Sequence, residues 1–143
     1  MTYKILLPVD GSDTSIRAAQ HVARLATMMQ ALEVIIINVQ PPGDDWMVGR
    51  MIKPEELTKM EQEWSDNAML PERDILHASG VTCQMRMIQG EVAPTVVRLA
   101  KELSCQQIVM GLQDDSSTRG DWLLGSVATR VLRHASVPVT FVK

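Results

Sequence analysis

Gly111 and the pair Gly125-Ser126 bracket a polar stretch between an apolar run that starts at Ile108 and a helical pattern that opens at Ser126. A loop of this kind aims backbone N–H groups at whatever lies above it, and the dipole of the following helix adds partial positive charge at the same point. An anion such as phosphate is favoured there. Asp10, in the segment Asp10-Gly11-Ser12 after the first apolar run, is the complementary candidate. A carboxylate at the carboxyl end of a strand can accept hydrogen bonds from sugar hydroxyls. Each residue also has a structural use: Asp10 can shape the turn or cap a helix, and Ser126 can be a helix cap. Within the bracketed stretch, Asp114 and Asp115 bring negative charge toward an anion, an unfavourable contact unless a cation bridges them. Arg119 offers a compensating charge and Gly120 some flexibility; alternatively, both carboxylates are solvated on a surface loop.

Other chemistries lack their residues. His21, His77 and His134 fall on three different helical patterns, and neither a Cys-x-x-Cys nor a His-Glu-x-x-His is present, so no metal site is expected. The phosphate loop Gly-x-x-x-x-Gly-Lys-Ser/Thr, the Gly-x-Gly-x-x-Gly turn and the Gly-x-Ser-x-Gly elbow are missing too. No catalytic residue is assigned. A phosphoacceptor domain would need an aspartate after the third strand, where Ile88-Gln89-Gly90 stands.

These residues must be carried by one core. A chain of 143 residues with 45% hydrophobic content fits a single domain over residues 1–143. Cys83 and Cys105 sit in or beside apolar runs and no leader-like segment opens the chain, which points to a reducing cytoplasm. Apolar runs fall far short of the roughly 20 residues that span a bilayer, so no membrane partner is expected. A formal charge of -3 with dispersed Lys and Arg argues against nucleic acid.

Strand-length apolar runs alternate with helical periods, the pattern of βαβ units on a parallel sheet. Tyr3 to Val9, Leu32 to Val39 and Gln107 to Met110 are nearly continuous apolar runs and read as central strands. Val81 to Ile88 alternates, and Val137 to Val142 contains Pro138, so both read as edges. The expected fold is α/β, a five-stranded open parallel sheet in the order 3-2-1-4-5 with four helices on two faces. Its switch point lies between the first and fourth strands, where Asp10 and Gly111 would face each other. In the first helix Ser12 or Asp13 can be the cap, and Ile16, Ala19, Ala23 and Ala26 form the apolar stripe. In the second, Leu57, Met60, Trp64, Ala68, Ile75 and Ala78 recur at helical spacing up to Gly80, with a kink or break expected near Met69 to Pro71. The third carries Pro94 in its first turn and buries Val96, Leu99, Ala100 and Leu103; the fourth, Ser126 to His134, buries Val127, Val131 and Leu132. Most of the ten methionines read as core fillers. The long connection Pro41 to Lys53, with Trp46, Met47 and Met51, is either a lid over the crevice or a solvated loop.

The opening KILLPVDGS, the segment GEVAPTVVRLAKE, the run IVMG and the closing LLGSVATRVLRHASVPVTFV together resemble the universal stress protein family over essentially the whole chain. The resemblance implies a cytoplasmic homodimer that binds ATP or a related adenine nucleotide in some members, with Mg²⁺ accompanying the nucleotide and at most slow hydrolysis. By carry-over, Pro8, Val9 and Asp10 approach the nucleoside, Val39 meets the adenine, and Gly111, Gly125, Ser126 and Val127 belong to the phosphate end. Nucleotide-binding members share G-x2-G-x9-G-[ST]; here Asp114 takes the second glycine's place and the loop is one residue longer. A non-nucleotide-binding interaction protein of the same fold is the alternative. The last strand, Val137 to Val142, presents an open edge with Val139 and Phe141, the expected seam of a two-fold dimer.

Overall fold

A computed structural model describes residues 2–41, 53–112 and 125–143. The strands are β1 (Tyr3–Pro8), β2 (Leu32–Gln40), β3 (Thr82–Gln89), β4 (Gln107–Gly111) and β5 (Val139–Val142). The helices are α1 (Asp13–Ala26), α2 (Pro54–Ala78), α3 (Val92–Glu102) and α4 (Ser126–His134). All strand pairs are parallel, and the sheet order is β3-β2-β1-β4-β5. The central strands β1, β2 and β4 are almost wholly buried, whereas β3 alternates exposed and half-buried positions, as its edge place requires. Pro138 lies just before β5, and its carbonyl still accepts from the Ile108 amide.

The two faces of the sheet hold separate cores. Ile5, Leu7, Val9, Val34 and Ile36 pack with α1 and α2, while Leu6, Ile35, Ile37, Ile108 and Met110 pack with α3 and α4. α1 presents Ser15, Ala18, Ala19, Val22 and Ala23 inward, so its stripe is rotated from the expected one and leaves Ile16 and Ala26 half-buried at the margin. Ser12, not Asp13, is its cap, accepting from the Ser15 amide.

α2 departs most from expectation. It runs unbroken through Pro71 for 25 residues. Pro71 is on the exposed side, as is Asn67, whose carbonyl loses its amide partner to the proline and can bond to water instead. The inward face is Ser65, Met69, Glu72 and Leu76, while Trp64 is 53% exposed. Gly80, with φ +74, ends the helix in the left-handed region that glycine adopts without strain. In α4 the buried residues are Ala128 and Val131, with Val127 half-buried. Leu132 is 53% exposed, because it lies about 100° around the helix from Val131, past the edge of the buried strip.

Candidate functional site

Between the carboxyl ends of β1 and β4 the sheet opens into a cavity of about 670 Å³. Its lining includes Pro8, Val9 and Asp10 from the end of β1, Val39 from β2, Gly111 from β4, and Gly125, Ser126 and Val127 at the start of α4. These are the residues that sequence reasoning singled out, drawn together from four parts of the chain. Asp114, Asp115, Arg119, Gly120, Trp46, Met47 and Met51 lie outside the described residues.

One wall carries a held carboxylate. Gly11, at φ +82, turns the chain sharply after Asp10. Asp10 Oδ1 then accepts from the Ser12 amide at 3.0 Å and from Ser15 Oγ at 2.8 Å, while the Asp10 amide donates to Ser15 Oγ at 3.1 Å. The turn-shaping use of Asp10 is therefore realised, and the same bonds fix the carboxylate beside the cavity. Ser15 was missed by sequence reasoning; its signal was the spacing Asp10-Gly11-Ser12-x-x-Ser15, a turn running into a capped helix. Asn38 was missed too. It is buried, its Nδ2 donates to the Val9 carbonyl at 2.8 Å, and its Oδ1 accepts from Gln40 at 2.6 Å, which ties the end of β1 to the end of β2.

The opposite wall is the N-terminus of α4. Gly125 is its cap residue, with φ -58 and ψ 164, and its carbonyl accepts from the Thr129 amide. The amides that precede Thr129 in the first turn have no acceptor within the helix. Among the described residues, chain neighbours aside, no heavy atom lies within 4 Å of where a Gly125 Cβ would sit. Gly111 is different: a Cβ there would meet the Thr14 carbonyl carbon at 2.5 Å and the Ser15 nitrogen at 2.7 Å. Glycine at 111 is required because the first turn of α1 crosses β4 at that point.

Beneath the Asp10 wall lies Glu72. It is completely buried, and neither carboxyl oxygen meets a hydrogen-bond partner elsewhere among the described residues; the same holds for the Ser65 hydroxyl on the same helix face. Burial pushes the Glu72 carboxyl above its ordinary range, its own amide pulls it back, and the nearby Asp10 charge pushes it further up. Val92, Pro41, Met110 and Leu112 add an apolar lining to the cavity. The arrangement suits a ligand with a flat apolar part, hydroxyls toward Asp10 and a negative end toward α4.

A model of the universal stress protein family matches residues 1–143. The chain belongs to the universal stress protein family. A universal stress protein of Methanocaldococcus jannaschii is 30% identical, over 98% of this chain and 81% of its own. Among solved structures, the protein MJ0577 superposes with a TM-score of 0.82 at 29% identity, covering 100% of this chain and 96% of its own. A universal stress protein solved in complex with cAMP has a TM-score of 0.66 at 25% identity, covering 99% of this chain and 96% of its own.

Proposed function

We propose that this protein is a regulatory module that binds ATP or a related adenine nucleotide in the cavity between β1 and β4. The observation that carries the reading is the pairing of opposite chemistries across one cavity: the Asp10 carboxylate on one side, the N-terminus of α4 on the other. Adenine would lie against Val9 and Val39, the ribose hydroxyls would donate to Asp10, and the phosphates would accept from amides at Gly125, Ser126 and Val127. Pro8 and Gly111 complete the wall between them. The family relative bound to cAMP supports this class of ligand. Mg²⁺ would accompany a triphosphate, offsetting its charge near Asp114 and Asp115. No residue is given a catalytic role, and the outcome of binding is a changed surface for partner proteins rather than turnover. A cytoplasmic homodimer paired along the β5 edge is part of the proposal.

The sequence carries one argument for a second reading, a partner-binding protein whose cavity no longer holds phosphate: Asp114 stands where nucleotide-binding members have glycine. Equilibrium titration with AMP and with ATP, each with and without Mg²⁺, separates the two. Binding of either nucleotide supports the nucleotide reading, and Asp114→Gly is expected to tighten ATP several-fold by removing a repelling charge. If neither the parent nor Asp114→Gly binds at millimolar nucleotide, the partner-binding reading replaces it.

A further inference from the structure

A carboxyl group withdrawn from water resists ionisation unless something compensates the charge. Among the described residues Glu72 is the one acidic side chain that is completely buried, locked between Met69 and Leu76 on the inward face of α2. Side chains on a helix lean toward its N-terminus, so Glu72 reaches back over Ala68, one turn earlier. Ala68 is where the β1–α1 turn lands: a Gly11 Cβ would stand 3.8 Å from the Ala68 Cβ. The crossover from β2 to β3 makes α2 run against the strands, and Gln89 at the end of β3 donates to Glu61 of α2 at 2.9 Å. The lean of Glu72 is thus toward the carboxyl edge of the sheet, where the cavity lies.

Asp10 adjoins Gly11 in that turn, and among the described residues it is the charge that raises the Glu72 pKa beyond what burial does. Among the described residues, the other charges on the surrounding elements are exposed, half-buried or paired. On α1, Asp13, Arg17 and Arg24 are exposed and His21 is half-buried. On β2, Glu33 sits at the opposite end of the strand, with Asn38 and Gln40 at the near end. On β3, Arg86 is exposed beside Gln84, and the Cys83 thiol feels Arg73. On α2 itself, Asp74 pairs with Arg73 and Asp66 accepts from Gln62.

We propose that Glu72 is a positioning residue for Asp10: with its proton in place the β1–α1 turn keeps its binding geometry, and when the proton leaves the turn is pushed open. The ligand half of this proposal rests on the nucleotide reading above. In the protonated state Asp10 carries the only negative charge of the pair, and its bonds to Ser12 and Ser15 hold it beside the cavity. In the ionised state two negative groups repel each other where the β1–α1 turn passes Ala68. Glu72 is locked in the core and Asp10 is exposed, so Asp10 is the group that moves, away from Ser15 and toward water. An anionic nucleotide adds a further negative charge nearby, so it binds the protonated form better. Linkage then requires its affinity to fall as pH rises through the loss of this proton.

Two measurements test this. Carboxyl ¹³C NMR titration of the intact protein follows Glu72 directly; Asp10→Asn is expected to lower its titration midpoint, and an unchanged midpoint overturns the proposal. Calorimetric titration with AMP from pH 5 to 8.5 compares the parent with Glu72→Gln, with Glu72→Met as a second neutral variant. The AMP phosphate titrates equally in all three, so it cancels. The parent's affinity is expected to fall about three- to tenfold more than that of either variant across this range. Superimposable profiles overturn the proposal. If AMP binds none of the three at millimolar concentration, the nucleotide reading fails, and the NMR titration alone decides whether Glu72 and Asp10 are coupled.

Discussion

Glycines 111 and 125 both line the cavity, yet a methyl group added to each should have opposite consequences. At Gly111 the new Cβ would stand 2.5 Å from the Thr14 carbonyl carbon and 2.6 Å from its oxygen, about 1 Å inside ordinary contact. The obstacle is backbone at the start of α1, so no rotamer relieves it. Either α1 lifts off Val109 and Ile5 or β4 slides within the sheet, and both movements disturb the same core. Overpacking of this kind costs about 3 kcal/mol, the upper part of the usual range. With an unfolding entropy of about 2.1 cal/mol/K per residue, a chain of 143 residues loses roughly 10 °C of melting temperature. Gly125→Ala meets no atom of the described residues, and alanine tolerates its φ of -58. It loses only the preference of a helix cap for glycine over alanine, about 0.5–1 kcal/mol or roughly 2–3 °C. Urea denaturation followed by circular dichroism reads both differences at constant m-value. A Gly111→Ala protein within 1 kcal/mol of the parent, or a larger loss from Gly125→Ala, would refute the reasoning.

Glu72 also sets a pH dependence of stability. Its folded-state pKa lies above the reference value of 4.5, so its contribution is fully present below about pH 4.5 and is lost as pH rises toward the folded value. Glu72→Gln should therefore gain on the parent by at most about 1.4 kcal/mol per pH unit over that window, read as parallel urea melts; a constant difference would exclude a buried titrating carboxyl. Cys83 and Cys105 are free, and burial pushes both thiols up, opposed by Arg73 at Cys83 and by Lys4 at Cys105. Iodoacetamide at pH 8 should label them slowly in the folded protein and quickly in urea; rapid labelling in the folded protein would contradict this. Phe141→Lys in the edge strand β5 is expected to convert a dimer to a monomer in sedimentation equilibrium; a parent that is monomeric at high concentration would count against edge pairing.

The strand order was legible because the two edge strands differ visibly from the three central ones: Pro138 precedes β5, and the alternation from Thr82 to Ile88 leaves one face of β3 to water. The cavity was legible for a related reason, since its residues lie at strand ends and a helix start, which sequence pattern locates well. The interior of the α1–α2 layer was not. Trp64 and Leu57 drew the apparent stripe of α2 about 100° from its true inward face, because Ser65 and Glu72 on that face are polar and carry no apolar signal. Pro71 suggested a break, but only tertiary packing determines that it faces outward. Asn38 escaped because a side chain's bond to a distant backbone leaves no periodic trace, and Ser15 because its bond to Asp10 is a local turn contact rather than part of an apolar stripe.

The length of α2 has a mechanical consequence. At 1.5 Å per residue its 25 residues extend about 37 Å, whereas the 8 residues of β3 beside it extend about 26 Å. The helix therefore overhangs the sheet, and Ser65 is the first of its described residues to be completely enclosed. The turns before Ser65 are a lever rooted where the helix becomes enclosed and propped at Glu61 by Gln89. Their amides should exchange with solvent sooner than those between Ser65 and Leu76, which open only when the core beneath them does.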